Sequence, residues 1–331
     1  MAGQDHLPSD SIRAKLTFKS VQTVTGLLKF GHKSMKPTLI VIAGPTASGK
    51  TELAIREAES REGIVLSCDS LCFYKGMDIG TAKPTREEQA RVPHFGIDLV
   101  DPDEPYSVNR YLEYRDRILR DAREKEQPVI VVGGSGFYLK SFFSPVVDEI
   151  EIPPEVVKRV EAIRREKGLD GLLACLREYN SEEETFDGLD LQNPRRVEKA
   201  LIRCLGAGKS YGELRSAFLS LPEPLKDWDK QAWLINRPVE ILQERNRLRV
   251  DRMLKAGLVE EVQQLRERGF ERNPSACGAI GYREVLDYLN GNLSREHLAE
   301  MIYVHTNQLI RKQRNWFNRQ IPVHREITGV T

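Results

Sequence analysis

The feature that most constrains this chain is a glycine-rich octapeptide, which follows the apolar run 39–42 and leads into a segment of helical character. Its residues are Gly44, Pro45, Thr46, Ala47, Ser48, Gly49, Lys50 and Thr51. A glycine turn between a buried strand and a helix N-terminus directs backbone N–H groups at an anion, and the helix dipole adds to the attraction. Lys50 then reaches the outer phosphates, and Thr51 offers a hydroxyl to Mg²⁺. The octapeptide predicts a site for a diphosphate or a triphosphate.

Length and composition indicate a globular protein. The 331 residues are 40% hydrophobic and 30% charged, which suits one large or two modest domains with a real core. The net charge is only +1, so any nucleic-acid contact must use a local basic surface. No apolar run approaches the roughly 18 residues of a membrane span, and no secretory signal is recognisable. Because the five cysteines show no C-x-x-C spacing, we expect reduced thiols in a cytoplasmic protein. We also expect a monomer that has no membrane partner.

Strand and helix patterns alternate through the first half of the chain. Strand patterns occupy 38–42, 63–67 and 128–132, and helix patterns occupy 51–59, 86–91 and 108–126. Such alternation predicts an α/β fold with a parallel sheet, here a P-loop NTPase-like core. Ligands of such sheets lie beyond the carboxyl ends of the strands.

The second half is mainly helical in pattern. Residues 153–225 are predicted to form an inserted, all-helical subdomain, with helices at 156–167, 169–178 and 194–205 and a loop over 206–229. A strand at 231–236 returns to the sheet, and helices follow at 239–256, 258–268, 282–289 and 296–318. The catalytic core therefore comprises 37–152 and 226–320, with a tail at 321–331. We interpret the polar residues 1–36 as a dispensable extension, with a short helix within 15–30.

Polar residues follow two other predicted strands. Asp69 comes after the second strand, where a carboxylate serves as a general base, as a magnesium ligand through water, or only as a turn or helix-capping residue. The third strand ends in Gly133, Gly134 and Gly136, which surround the hydroxyl of Ser135. An ATPase typically has an acid at that strand end, so its absence counts against simple ATP hydrolysis. Because parallel strands end at one edge of a sheet, the three loops predict one site.

Basic residues are concentrated at two other places. Asn193 and Pro194 open a helix whose first turn carries Arg195 and Arg196, an unfavourable place for cations unless an anion joins them. Residues 311–317 interleave Arg and Lys with Trp and Phe, which is typical of an RNA surface. A solvated helix face also explains each run, and it is the better explanation of 311–317 taken alone.

Taken together, these motifs resemble those of the tRNA dimethylallyltransferase family, in its bacterial form. The resemblance extends from residue 37 to 318. It rests on the blocks 44–51, 69–70, 74–84, 133–138, 193–197, 249–254, 279–284 and 311–317. The stretch 77–84 is the most specific of them, because phosphate-loop kinases do not share it.

The resemblance implies transfer of a dimethylallyl group from dimethylallyl diphosphate to tRNA, with release of diphosphate. The acceptor is N6 of the adenosine next to the anticodon on its 3′ side, which has to leave the stack of the anticodon loop to react. The octapeptide would bind the diphosphate with Mg²⁺ as cofactor, and Lys50 and Arg249 would lie where negative charge grows. Asp69 would take the N6 proton, and Ser135 stands at the family's threonine position beside the same amine.

The resemblance also implies that the inserted helical subdomain binds tRNA, and that three segments line the path of the tRNA. They comprise Asp69, Ser70, Leu71, Cys72, Gln192, Asn193, Pro194, Arg195, Arg196, Ala279, Ile280, Gly281, Tyr282, Arg283 and Glu284. The chain departs from the family at Cys72, at Val157, about where a relative has an arginine, and at Asn307, which replaces a frequent arginine. These departures concern the contacts to tRNA and not the reaction.

Three other functions share parts of this pattern. An adenylate isopentenyltransferase uses the same chemistry on free AMP, ADP or ATP, but it needs neither the helical insert nor the basic helix at 311–317. A small-molecule kinase would use the octapeptide for ATP and would need arginines in a lid. An RNA-binding protein would use the octapeptide only as a switch.

Overall fold

The computed structural model describes residues 36–180 and 185–329. The expectations for the N-terminal extension, including its helix and its dispensability, therefore lie outside the described residues, apart from Lys36. Residues 181–184 and 330–331 are likewise not described.

One six-stranded parallel sheet forms the centre of the fold. Its strands are β1 (Thr38–Ala43), β2 (Ile64–Ser67), β3 (His94–Phe95), β4 (Val129–Gly133), β5 (Asp229–Ile235) and β6 (Arg325–Ile327). Their order is β3-β2-β4-β1-β5-β6, and every pair is parallel. This confirms the α/β fold class of P-loop NTPase type. Because β1 lies between β4 and β5, the octapeptide leaves from the middle of the sheet.

The sheet is buried on both faces, as its uninterrupted apolar strands require. In β1 the side chains alternate between two cores: Leu39 and Val41 pack on one face, and Ile40 and Ile42 on the other. A strand without a polar face has no register in which it can lie at the surface. The apolar run therefore fixes the strand that carries the phosphate loop.

Twelve α-helices surround the sheet or extend from it in the described part of the chain. They are α1 (Lys50–Ser60), α2 (Arg86–Arg91), α3 (Val108–Glu124), α4 (Gly136–Lys140), α5 (Pro154–Glu178), α6 (Pro194–Ala207), α7 (Tyr211–Leu219), α8 (Val239–Lys255), α9 (Leu258–Glu267), α10 (Pro274–Cys277), α11 (Tyr282–Leu289) and α12 (Arg295–Gln320). A short 3₁₀ helix spans Phe270–Arg272. The predicted strands and long helices are confirmed, with small shifts at their ends.

The C-terminal helices build a second core beside the sheet. Helices α8, α9, α11 and α12 pack apolar residues against the segment that follows β2, including the buried side chains of Tyr74 and Met77. This packing brings C-terminal residues to the same edge of the sheet as the octapeptide. The long block 74–84 is thereby enclosed between the sheet and these helices.

Helices α5, α6 and α7 share a separate cluster of buried residues, which includes Val160, Leu172 and Leu201. The two predicted helical segments of α5 are confirmed, because Gly168 interrupts it with φ 61° and ψ −149°. A positive φ of this kind favours glycine, which lacks the Cβ that would be strained there. The division of the chain at 153 and 225 stays a prediction.

The prediction of an irregular segment over 206–229 is wrong, and the tail contains a strand that the sequence does not indicate. The loop expected over 206–229 contains α7, which begins with a capping box of Ser210 and Glu213, a signal that is visible in the sequence. The tail at 321–331 contains β6, which adds an edge strand to β5. Three residues at an edge are too few to show alternation, so β6 could not be recognised from pattern alone. The same holds for β3 and α4.

Deleting residues 322–331 should destabilise the core, because β6 and its approach hold the edge of β5. His324 donates its N–H to the Ala232 carbonyl (2.8 Å) and its Nδ1 accepts the Ala232 N–H (3.0 Å), while the Ile327 carbonyl accepts the Asn236 N–H (2.9 Å). At about 1 kcal/mol for each hydrogen bond, we expect a loss of about 3 kcal/mol in the free energy of unfolding by urea. A truncation after Ile327 is the matched control and should leave stability unchanged; equal stability of both truncations would contradict the assignment.

Candidate functional site

The octapeptide forms a compact turn between β1 and α1. Ala47 and Gly49 have positive φ angles of 65° and 91°, and Gly49 directly precedes the first residue of the helix. The Ser48 hydroxyl is buried and has no hydrogen-bond partner among the described residues. A buried hydroxyl costs about 1–3 kcal/mol when it is unpaired, which fits a loop that binds an oxygen-rich ligand.

Two arginines hold the outer side of this turn. Arg245 Nε donates to the Ala47 carbonyl and Arg237 Nε donates to the Ser48 carbonyl, each at 2.8 Å. Because a trans peptide points its C=O and N–H in opposite directions, the Ser48–Gly49 peptide turns its N–H away from Arg237. The arginines therefore orient the loop and add positive charge behind it. Sequence reasoning missed both residues, although Arg237 follows a predicted strand end.

Lys50 lies in a setting that lowers its proton affinity. Its Nζ donates to the Pro45 carbonyl at 2.8 Å. Burial lowers the pKa of Lys50 from its ordinary 10.5 to about 8; the Asp69 carboxylate opposes this shift and Arg249 adds to it. A site that holds a cation at such a cost is built for an anion.

One carboxylate oxygen of Asp69 stabilises a turn, and the other is a second hydrogen-bond acceptor. Its Oδ1 accepts the Leu71 N–H at 3.2 Å, as in an Asx turn. Its Oδ2 faces the glycine turn after β4 and lies 3.4 Å from where a Cβ on Gly134 would stand. One oxygen therefore fixes the side chain and the other is directed at the space beside the glycines.

Ser135 joins the loops that follow β2 and β4. Its Oγ accepts the Ser70 N–H at 3.0 Å and shares a hydrogen bond with the Ser70 hydroxyl at 3.1 Å. The next residue, Gly136, begins α4 directly against Trp316, whose ring would be 2.4 Å from a Cβ at that position. The third glycine of the turn is therefore required by close packing.

Gln313 on α12 ties the octapeptide to the same turn. Its Oε1 accepts the Thr46 N–H at 2.8 Å, and its Nε2 donates to the Gly134 carbonyl at 3.0 Å. One side-chain amide thus spans the phosphate loop and the loop of Ser135. Sequence reasoning placed Gln313 in a basic block but assigned it no role.

Arg249 completes a charged cluster from α8. Its Nη2 donates to the Thr81 carbonyl at 3.1 Å. Burial lowers the pKa of Arg249, while Asp69 and then Cys72 raise it, so the guanidinium lies close to both. The structure therefore brings together Lys50, Asp69 and Arg249.

Several residues expected along a tRNA path are buried. Cys72 is 6% exposed, and burial raises the pKa of its thiol to about 12. Tyr282 is fully buried, and Glu284 is 1% exposed. Glu284 accepts the Gly281 N–H at 2.6 Å and pairs with Arg283 and His305. These side chains shape the site from inside, whereas Ser70, Leu71, Ala279, Ile280 and Arg283 are at least partly exposed.

The second expected tRNA segment lies at the start of α6. Gln192, Pro194, Arg195 and Arg196 are exposed, and the Asn193 side chain caps the helix by accepting the Arg196 N–H at 3.3 Å. They precede Val197 of α6, which packs into the α5–α7 cluster, and neither Arg195 nor Arg196 is among the charges that act on Lys50 or Arg249.

The basic block at 311–317 is a mixed surface. Phe317 is fully buried in the core, so it cannot stack on a base, and Trp316 packs on Gly136. Arg311 and Lys312 are exposed. The aromatic residues of this block therefore serve packing, and its exposed residues are Arg311, Lys312 and Asn315.

The side-chain atoms near the octapeptide that suit a metal ion are oxygens. Thr51 stands at the second position of α1, and Asp69 is the nearby carboxylate. Within residues 36–180 and 185–329, no three His, Cys, Asp or Glu side chains converge on a metal site. A metal here would need ligand oxygens as well as protein ones. None of the described helices is long and apolar enough to span a membrane.

A family model and several known proteins have sequences similar to this chain. A sequence model of the family described as IPP transferase matches residues 72–320. A tRNA dimethylallyltransferase of Opitutus terrae is 46% identical over 88% of this chain and 93% of its own length. That of Clostridioides difficile is 35% identical over 86% of this chain and 89% of its own.

Solved structures agree with these sequence relatives. A tRNA isopentenylpyrophosphate transferase of Staphylococcus epidermidis has a TM-score of 0.62 and 34% identity, covering 88% of this chain and 93% of its own. A eukaryotic dimethylallyltransferase acting on tRNA has a TM-score of 0.70 and 27% identity, and the match covers 85% of this chain and 69% of that one.

The parallel sheet, the octapeptide and the charged cluster beside it define a P-loop protein that binds a phosphorylated substrate. The sequence identity and the coverage of the matches identify one family within this class of P-loop proteins. The chain belongs to the IPP transferase family.

The affinity of the site for an organic diphosphate should fall as the pH rises above about 8. In the free site Lys50 loses its proton near its pKa of about 8. A bound anion raises that pKa, so binding above pH 8 takes up a proton, whereas binding well below pH 8 does not. Titration calorimetry with dimethylallyl diphosphate in buffers of different ionisation enthalpy measures this uptake.

Lys50→Met is the control for this titration. It should bind more weakly and take up no proton at the same pH. Uptake that persists in Lys50→Met would assign the titration to another group.

Proposed function

We propose that this chain transfers a dimethylallyl group from dimethylallyl diphosphate to N6 of the adenosine 3′-adjacent to the anticodon of tRNA, releasing diphosphate. The observation that carries the proposal is the placement of a carboxylate, Asp69, near two partly buried cations, Lys50 and Arg249. Cations suit a leaving diphosphate, and a carboxylate suits an amine that loses a proton. The names of the sequence relatives support the same reaction.

The diphosphate would bind in the octapeptide, with its charge directed at Lys50 and Arg249. As the allylic C–O bond breaks, negative charge moves onto the diphosphate, and fixed cations stabilise that charge without reorganising. The hydroxyl of Thr51 and the oxygens of the diphosphate suit Mg²⁺, with Asp69 reaching it through water. When bound, Mg²⁺ would neutralise part of the charge on the leaving group.

Asp69 would hold and deprotonate the attacking amine. Its Oδ1 is engaged by the Leu71 N–H, which leaves Oδ2 to accept a hydrogen bond from N6. Ser135 is fixed by Ser70 beside the same turn and offers its hydroxyl to the base.

The tRNA would present its anticodon loop to this edge of the sheet. A base in a single-stranded loop leaves its stack at a cost of a few kcal/mol. The exposed arginines Arg195 and Arg196, and the partly exposed residues of 69–71 and 279–283, would contact the RNA.

Incubating the protein with labelled dimethylallyl diphosphate, Mg²⁺ and unmodified tRNA should move label into the tRNA. A parallel reaction with AMP in place of tRNA should leave the nucleotide unlabelled. Label in AMP alone would overturn the proposal in favour of a free-nucleotide enzyme. Phosphoryl transfer from ATP without prenyl transfer would favour a kinase.

Asp69→Asn should lower the rate of transfer by about 10²–10⁴-fold, because the amide cannot take the N6 proton. The amide oxygen still accepts the Leu71 N–H, so the turn and the affinity for dimethylallyl diphosphate should change little. Single-turnover rates and calorimetry separate the two quantities. Asp121→Asn, on the exposed side of α3, is the matched control. Equal losses in rate and affinity would refute Asp69 as the base.

A further inference from the structure

A short loop, 78–81, lies between the charged cluster and the C-terminal helices. Its backbone N–H groups point at one carboxylate, Glu261 in the first turn of α9. Asp78 and Ile79 donate to Oε2 at 3.0 and 2.7 Å, and Gly80 donates to Oε1 at 3.2 Å. Three successive N–H groups around an anion form a nest, here filled by the protein itself.

Tyr282 supplies the fourth donor to this carboxylate. Its hydroxyl lies 2.7 Å from Glu261 Oε1. Burial, followed by the charge of Glu261, raises the pKa of Tyr282 well above its ordinary value, so the hydroxyl keeps its proton and donates. With Glu261 only 9% exposed, these four hydrogen bonds offset the cost of burying its charge.

The ring of Tyr282 also supports the loop directly. A Cβ on Gly80 would lie 2.5 Å from the ring, so the backbone at Gly80 rests on its face. Thr81 closes the loop by donating its hydroxyl to the Met77 carbonyl at 2.7 Å. The loop is therefore held from two sides and has little freedom to shift.

The other end of the loop contacts Arg249 of the charged cluster. The Thr81 carbonyl accepts Arg249 Nη2 at 3.1 Å. The guanidinium that lies near Asp69 is thus attached to a loop whose position is set by Glu261 and Tyr282. Neither of these two residues belongs to the charged cluster itself.

We propose that Glu261 and Tyr282 are positioning residues for Arg249, which they hold in place through the 78–81 loop. The inference rests on the proposed function, in which Arg249 stabilises the leaving diphosphate. A guanidinium displaced by about 1 Å loses much of its effect on charge that develops in the transition state, and such displacements cost about 10²-fold in rate.

The test compares Glu261→Gln and Tyr282→Phe in the full chain. Glu261→Gln replaces an acceptor oxygen by a donor that faces N–H groups, and we expect about a 100-fold loss in the single-turnover rate of transfer to tRNA. Tyr282→Phe keeps the ring on Gly80 and removes one donor, and we expect about a tenfold loss. Matched controls are Glu260→Gln on the exposed side of α9 and Tyr288→Phe on α11, which should retain the wild-type rate.

A double-mutant cycle separates positioning from a general loss of structure. If both residues act through Arg249, adding either change to Arg249→Ala should cause no further loss, because residues that act as a unit are not additive. Losses that multiply in the Arg249→Ala background would overturn the inference. Thermal unfolding midpoints show whether a variant has merely lost its fold, in which case Tyr282→Phe, the milder change, carries the comparison.

The same double-mutant cycle can be measured through the affinity for dimethylallyl diphosphate, without any transfer to tRNA. The affinity for dimethylallyl diphosphate should fall in Glu261→Gln but not further in Glu261→Gln with Arg249→Ala than in Arg249→Ala alone. A wild-type protein that binds this diphosphate but labels no tRNA would refute the proposed function and leave this cycle to decide the positioning. Multiplying losses in affinity would then refute the positioning as well.

Discussion

The site depends on the electrostatic balance between one carboxylate and two partly buried cations. Removing Lys50 and Arg249 from water lowers the pKa of both, and the charge of Asp69 returns part of that cost. One negative charge cannot neutralise two positive ones, so the cluster retains a net attraction for an anion. Under the proposed function, this attraction holds the diphosphate beside the carboxylate that receives the proton of the amine.

Residues of α8, α9 and α12, together with Arg237 just before α8, supply the contacts that keep this cluster in place. Gln313 spans the phosphate loop and the glycine turn, and Arg237 and Arg245 orient the phosphate loop from behind. Glu261 and the 78–81 loop set the position of Arg249. Loops that carry function are usually mobile, and here residues distant in sequence restrain each of them. Rigid placement of this kind lets cations and base act without reorganisation.

Much of this site could be predicted from the sequence, because its central residues follow strand ends. The octapeptide, Asp69 and Ser135 each come directly after an apolar strand, and the parallel sheet collects such positions at one edge. The restraints could not be predicted in this way. Glu261 looks like any helix-surface glutamate, and only the packing of α9 on the 78–81 loop reveals its four donors. The roles of Phe317 and Trp316 were likewise decided by burial, which composition alone does not report.

The end of β4 shows why this P-loop fold favours transfer over hydrolysis. An ATPase of this type typically places an acidic residue there, to act on the metal that accompanies the triphosphate. Here Gly133 approaches the end of β2 so closely that a Cβ would lie 2.2 Å from the Cys68 carbonyl oxygen. Backbone cannot yield as a flexible side chain can, so no carboxylate fits at that position without separating the two strands. Asp69, which follows the neighbouring strand β2, is the acid of the charged cluster, and its Oδ2 faces the glycine turn after β4.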